Sequence, residues 1–129
     1  MTLVRLNDIE GIDVSNLIFN EDVLRSFNSL NAKDLSKVIT VLGTLNTHGL
    51  SYEHFRNRIE KLTGNHKQLY EVKVKSLAKK EWRFIVIPVK DDEGCVKIIV
   101  LHSFLKQSAT IKEVDKNKAL KVAKREELL

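Results

Sequence analysis

Cysteine and proline are nearly missing: the 129 residues hold one of each, Cys95 and Pro88. A single cysteine excludes an internal disulfide framework and a multi-cysteine zinc site. With only five glycines besides, there is no flexible linker, and neither a low-complexity tract nor an internal repeat divides the chain. No apolar run approaches the ~20 residues that span a bilayer. Residues 1–10 carry acids and no apolar stretch, so a secretory signal is not expected and a cytoplasmic location is. The GxxxxGKS/T and GxGxxG phosphate loops, the GxSxG elbow and the HExxH helix are absent too.

What remains is one ordinary globular domain over residues 1–129, with residues 1–15 its least regular part. Hydrophobic residues are 43% and charged residues 30%, and a chain this long buries about two thirds of its unfolded surface without a staple. The charge is uneven. Residues 1–54 carry four basic and seven acidic side chains, whereas residues 55–129 carry eighteen and ten. A basic second half fits a polyanionic or acidic partner, or a plain solvated lysine surface.

Leu3–Leu6 and Asn16–Phe19 are short strand candidates. Asn20 caps a helix whose first turn is acidic, and Val23, Leu24, Phe27 and Leu30 form its stripe. Asn31 restarts the pattern, and Leu35, Val38, Ile39, Leu42 and Leu45 share one face up to Gly49. Residues 21–48 therefore read as a helical hairpin. A weaker helical stretch places Tyr52, Phe55, Ile59 and Leu62 on one face. The period then becomes two. Leu69–Lys75 alternates, Trp82–Val89 and Cys95–Phe104 are apolar on both faces, and the chain turns helical again after Ser108 with Ile111, Val114, Ala119, Val122 and Ala123. The expected fold is α+β: a small, mostly antiparallel sheet packed on an N-terminal helical hairpin, with a C-terminal helix, as a two-layer sandwich.

His48, His54 and His66 read as polar helix-end or surface residues, without metal-ligand spacing. The acidic neighbours Asp92 and Glu93 disfavour a reactive thiolate at Cys95. The strands are more informative. Lys73 and Lys75 line one strand face, Lys79 and Lys80 follow, Arg83 interrupts an apolar strand, and His102 and Lys106 end the last one. Converging on one face, these groups match the needs of metal-independent phosphodiester cleavage: a proton acceptor and donor, and cations for the charge developing on phosphate. Each also has a structural reading. Arg83 can pair with Glu71, His102 can be a satisfied strand-end histidine, and the lysines can guard a sheet edge.

The runs Leu69-Tyr70-Glu71-Val72-Lys73-Val74-Lys75, Trp82-Arg83-Phe84-Ile85-Val86 and Ile99–Ser108, followed by Thr110–Ala123, together resemble the RelE/ParE toxin superfamily, in particular its HigB-like, phage-derived branch. The resemblance covers about residues 16–125. It implies the toxin of a type II toxin–antitoxin pair, an endoribonuclease that cuts mRNA on the ribosome by attack of a 2′-OH on the adjacent phosphate. It implies Arg83 and Lys106 on that phosphate, Lys73 as a cation or base, His102 as general acid or base, and Lys75, Lys79 and Lys80 as RNA contacts. No metal and no cofactor is implied. The implied partners are a helix-turn-helix antitoxin, the ribosome and mRNA, with no membrane. Two rival expectations stand beside it: a ParE-like gyrase inhibitor that cleaves nothing, and a decayed phage protein that only binds its antitoxin.

Overall fold

A computed structural model describes residues 3–55, 58–62, 69–75, 81–106 and 113–128. The elements are β1 (Leu3–Arg5), β2 (Asp8–Ile9), β3 (Ile12–Asp13), β4 (Leu17–Asn20), α1 (Glu21–Ser26), a 3-10 turn (Phe27–Ser29) and α2 (Ala32–His48). They continue with α3 (Tyr52–Phe55), β5 (Ile59–Lys61), β6 (Tyr70–Lys75), β7 (Glu81–Lys90), β8 (Val96–Lys106) and α4 (Glu113–Arg125). Six strands form one sheet in the order β1-β4-β8-β7-β6-β5, and β2 and β3 form a separate hairpin. The neighbours pair antiparallel except β4 and β8, which run parallel.

This mixed α/β architecture corrects the expected two-layer sandwich. The sheet is large rather than small, and helices lie on both of its faces. Val23 of α1 and Val38, Val41, Leu42 and Leu45 of α2 pack on one face, with Leu17, Phe19, Val72, Phe84 and Val100. Ala119, Val122 and Ala123 of α4 pack on the other, with Ile18, Ile85, Ile87, Ile99 and Leu101. The reason is visible in β7 and β8. A strand that is apolar on both faces needs cover on both, and a single helical layer supplies only one. The expected hairpin is also absent: α1 has six residues and ends in the 3-10 turn, whose Phe27 meets Phe84 edge-on with ring centroids 6.3 Å apart.

The stretch expected to be a third helix divides. After α3 the chain becomes β5, pairing Ile59 with Val72 and Lys61 with Tyr70. Ile59 packs on the α2 face and Leu62 on the α4 face. An i, i+3 pair shares a face on a helix but takes opposite faces on a strand, and here Ile59 and Leu62 are each buried, on opposite faces of the sheet. The expected β6–β7–β8 meander, the Asn20 and Asn31 caps and the left-handed Gly49 after α2 are present.

Asn20 does two jobs where β4 ends. Its Oδ1 accepts the Asp22 N–H at 3.2 Å, capping α1. Its Nδ2 donates to the Leu101 carbonyl at 2.9 Å, in a buried contact between positions 81 residues apart. Leu101 is the extra residue of a β-bulge, since Ile85 pairs with His102 and Val86 with Val100. Strict alternation after Val100 would send His102 to the α2 face. The bulge sends it to the α4 face and Ser103 to the α1 face.

Replacing Asn20 with Ala should cost about 2 kcal/mol, because it removes the cap and leaves a buried carbonyl unpaired. Asn20→Asp keeps the capping oxygen but lacks the donor, and should remain measurably destabilised. Urea unfolding checks both, and wild-type stability in the Asp variant would show that the Leu101 contact is dispensable.

Candidate active site

Lys73, Arg83 and His102 do share the α4 face of the sheet, and each meets a carboxylate there. Lys73 and Arg83 are cross-strand neighbours, and Arg83 in turn faces Phe104. Arg83 is ion-paired with Glu71, the two side chains only 3% and 4% exposed. This is the expected structural alternative, and a guanidinium so enclosed does not present itself to a phosphate in solvent. Lys73 Nζ lies 3.4 Å from the Glu60 carboxylate on β5, towards the sheet edge. Lys79 and Lys80, and the side chains of Lys75 and Lys106, lie outside the described residues.

His102 differs from the other two. Its Nε2 is 2.8 Å from Asp115 Oδ1 at the start of α4, and both side chains are about one-sixth exposed. A carboxylate only accepts, so Nε2–H donates and Nδ1 is left as the proton-accepting nitrogen of the neutral ring. The Phe104 ring stacks nearly parallel to the imidazole at 5.7 Å.

A cleft of about 360 Å³ opens beside this pair, past the end of β4, between α1, the bulged edge of β8 and α4. Small-molecule sites typically have volumes of roughly 300–1,000 Å³. Its floor includes Asn20, Ser26, Leu101, His102 and Ser103. Its α4 wall carries Lys118, Lys121 and Arg125, at positions i, i+3 and i+7 along one helix face. Asp22, on α1, also lines it and pairs with Arg25 at 3.0 Å. Arg125 Nε also lies 3.4 Å from Glu126 Oε1. Three cations against the Asp22 carboxylate, which is paired with Arg25, still make the cleft attractive to an anion.

Sequence reasoning named His102 but none of Asp115, Lys118, Lys121 or Arg125. The signal was present: these cations flank the apolar Ala119-Val122-Ala123 stripe, so burying the stripe brings them to the edge of the covered face. His48 and His54 stack with ring centroids 3.5 Å apart, and Ser51 Oγ is 3.0 Å from His54 Nδ1, closing the end of α2. His66 lies outside the described residues. Asp91, Glu93 and Cys95 gather in an exposed turn, where Asp91 Oδ1 accepts the N–H groups of Glu93 and Cys95 at 3.0 and 2.9 Å.

Comparison with protein-family models, with curated proteins and with solved structures finds no match for this chain. Among the described residues, no helix is long and apolar enough to cross a membrane.

Removing one partner of the enclosed ion pair should be costly. Glu71→Ala is expected to lose about 3–5 kcal/mol by leaving a buried charge uncompensated. Pairing it with Arg83→Met should recover much of that loss. Thermal melts of the single and double variants check this, and a single variant as stable as wild type would show that the pair does not hold the sheet face together.

Proposed function

We propose that this protein cleaves RNA at the α1–β8–α4 cleft without a metal ion, as the toxin of a type II toxin–antitoxin pair acting on mRNA at the ribosome. The observation that supports this reading best is His102, aligned by Asp115 at 2.8 Å on a cleft whose α4 wall carries Lys118, Lys121 and Arg125. In the reaction, neutral His102 takes the 2′-OH proton through Nδ1 as the 2′-oxygen attacks the adjacent phosphorus. The P–O5′ bond breaks, a 2′,3′-cyclic phosphate forms, and the 5′-oxygen takes a proton from a lysine ammonium of the α4 wall or from water. The cations offset the charge that builds on the phosphate oxygens. Asp115 fixes the tautomer and steadies the imidazolium that forms. Arg83 has a structural role in this proposal, while the resemblance to the RelE/ParE superfamily supports RNA as the substrate class and an antitoxin as the natural inhibitor.

The reading is tested by controlled expression in a bacterium with primer extension on a translated mRNA. Wild type should arrest growth and leave new cuts within codons. His102→Gln should slow single-turnover cleavage about 100-fold or more while leaving RNA binding intact. Lys118→Ala and Lys121→Ala should each weaken binding and lower the salt dependence of log affinity by about one unit. Arrest with intact mRNA would favour gyrase inhibition instead. Unaltered cleavage by His102→Gln would remove it from the site.

A further inference from the structure

Cleavage of a phosphodiester leaves a 5′-oxygen that needs a proton, and the groups lining the cleft offer few sources. Besides His102, the titratable side chains there are Asp22, Lys118, Lys121 and Arg125. Asp22 is a carboxylate paired with Arg25 at 3.0 Å, and it only accepts. A guanidinium does not give up its proton, which sets Arg125 aside. Lys118 and Lys121 remain as ammonium donors.

Helix geometry separates these two. Asp115 Oδ1 lies 2.8 Å from His102 Nε2, so the base is pinned beside position 115 of α4. With a rise of about 1.5 Å per residue, Lys118 stands about 4.5 Å further along the axis and about a sixth of a turn round from Asp115. Lys121 stands about 9 Å along and about a third of a turn round. The reaction limits how far apart base and acid can be. The attacking and departing oxygens are bonded to the same phosphorus, and the hydrogen bond at each end adds only about 3 Å. Lys118, within one turn of the anchor of the base, fits that span best. We infer that Lys118 is the general acid: its N–H bond breaks as P–O5′ breaks, the proton forms the 5′-hydroxyl, and a neutral amine is left. The proton that His102 has taken from the 2′-OH is then released to water, and the Lys118 amine regains its own from water. Lys121 and Arg125, further along α4, bind phosphate by charge alone. The inference rests on the RNA reading of the cleft and assigns its second proton transfer.

The test compares two RNA substrates in single-turnover cleavage by the full chain, each presented on a programmed ribosome. One carries the ordinary phosphodiester at the cut position that primer extension maps, and the other has sulfur in place of its bridging 5′-oxygen. A thiolate leaves without being protonated, so the sulfur substrate has no need of the acid. Lys118→Ala should cut the oxygen substrate about 100-fold more slowly than wild type, and the sulfur substrate within a few-fold of the wild-type rate. That rescue also shows that the variant is folded. Lys118→Arg keeps the charge without the transferable proton and should stay slow on the oxygen substrate. Lys121→Ala should lose the same factor on both substrates. A Lys118→Ala loss that sulfur does not rescue would mean a role in charge alone and would overturn the inference, as would an undiminished rate on the oxygen substrate. Either result leaves cleavage at the cleft standing, because His102→Gln tests the base separately and should be slow on both substrates. Wild type that cuts neither substrate would overturn the RNA reading and the inference with it.

Discussion

The Asn20 side chain is the contact on which the geometry of the candidate site depends. β4 pairs with β8 only over Ile98–Val100, so the β8 edge loses its strand partner just where the bulge exposes the Leu101 carbonyl. An unpaired carbonyl at that depth would be costly. Asn20 supplies the donor from its side chain while its own backbone turns out of the sheet into α1. One residue thus ends a strand, starts a helix and stabilises a bulge. The bulge aims His102 towards α4 and Ser103 towards α1, and the space between those helices becomes the cleft. Ligand sites in sheets with parallel strands commonly lie at such carboxyl ends, where the chain departs to one side.

The second constraint is charge. Lys73 and Arg83 share one sheet face with His102, and left alone the two cations would repel each other and resist burial. Glu60, Glu71 and Asp115 divide the three into pairs with different fates. The Arg83–Glu71 pair is enclosed and serves the sheet. The Lys73–Glu60 pair lies towards the sheet edge. His102–Asp115 is partly exposed and joins β8 to α4, so the same contact that docks the helix also orients the imidazole. Docking α4 brings its cationic face to the cleft, which links packing of the second face to the proposed chemistry.

Much of the fold was legible because local chemistry decided it. Asn20 and Asn31 cap the helices that their positions suggested, Gly49 ends α2 at positive φ, and the period-two runs became β6, β7 and β8. The layer count was misread even though the clue was present, since strands apolar on both faces require helices on both. Residues 59–62 were misread because the i, i+3 spacing of Ile59 and Leu62 fits a helix as readily as an edge strand that sends the two to opposite faces of the sheet. The candidate site was less legible. His102 was found from its place at a strand end, but the side of the sheet it takes is set by a one-residue bulge with no signature of its own. Arg83 attracted attention as a charge in an apolar strand, and its enclosure by Glu71 comes from a diagonal cross-strand contact that composition does not reveal.

The central claim is that RNA binds between α1, β8 and α4. Amide shift mapping with a short RNA, made uncleavable by a 2′-deoxy substitution at the scissile nucleotide, tests it most directly. The account predicts that the largest perturbations cluster at Ser26, His102 and Ser103 and along residues 118–125. Perturbations centred instead on Glu60, Lys61 and Lys73 at the far edge of the sheet, with the cleft residues unchanged, would contradict it.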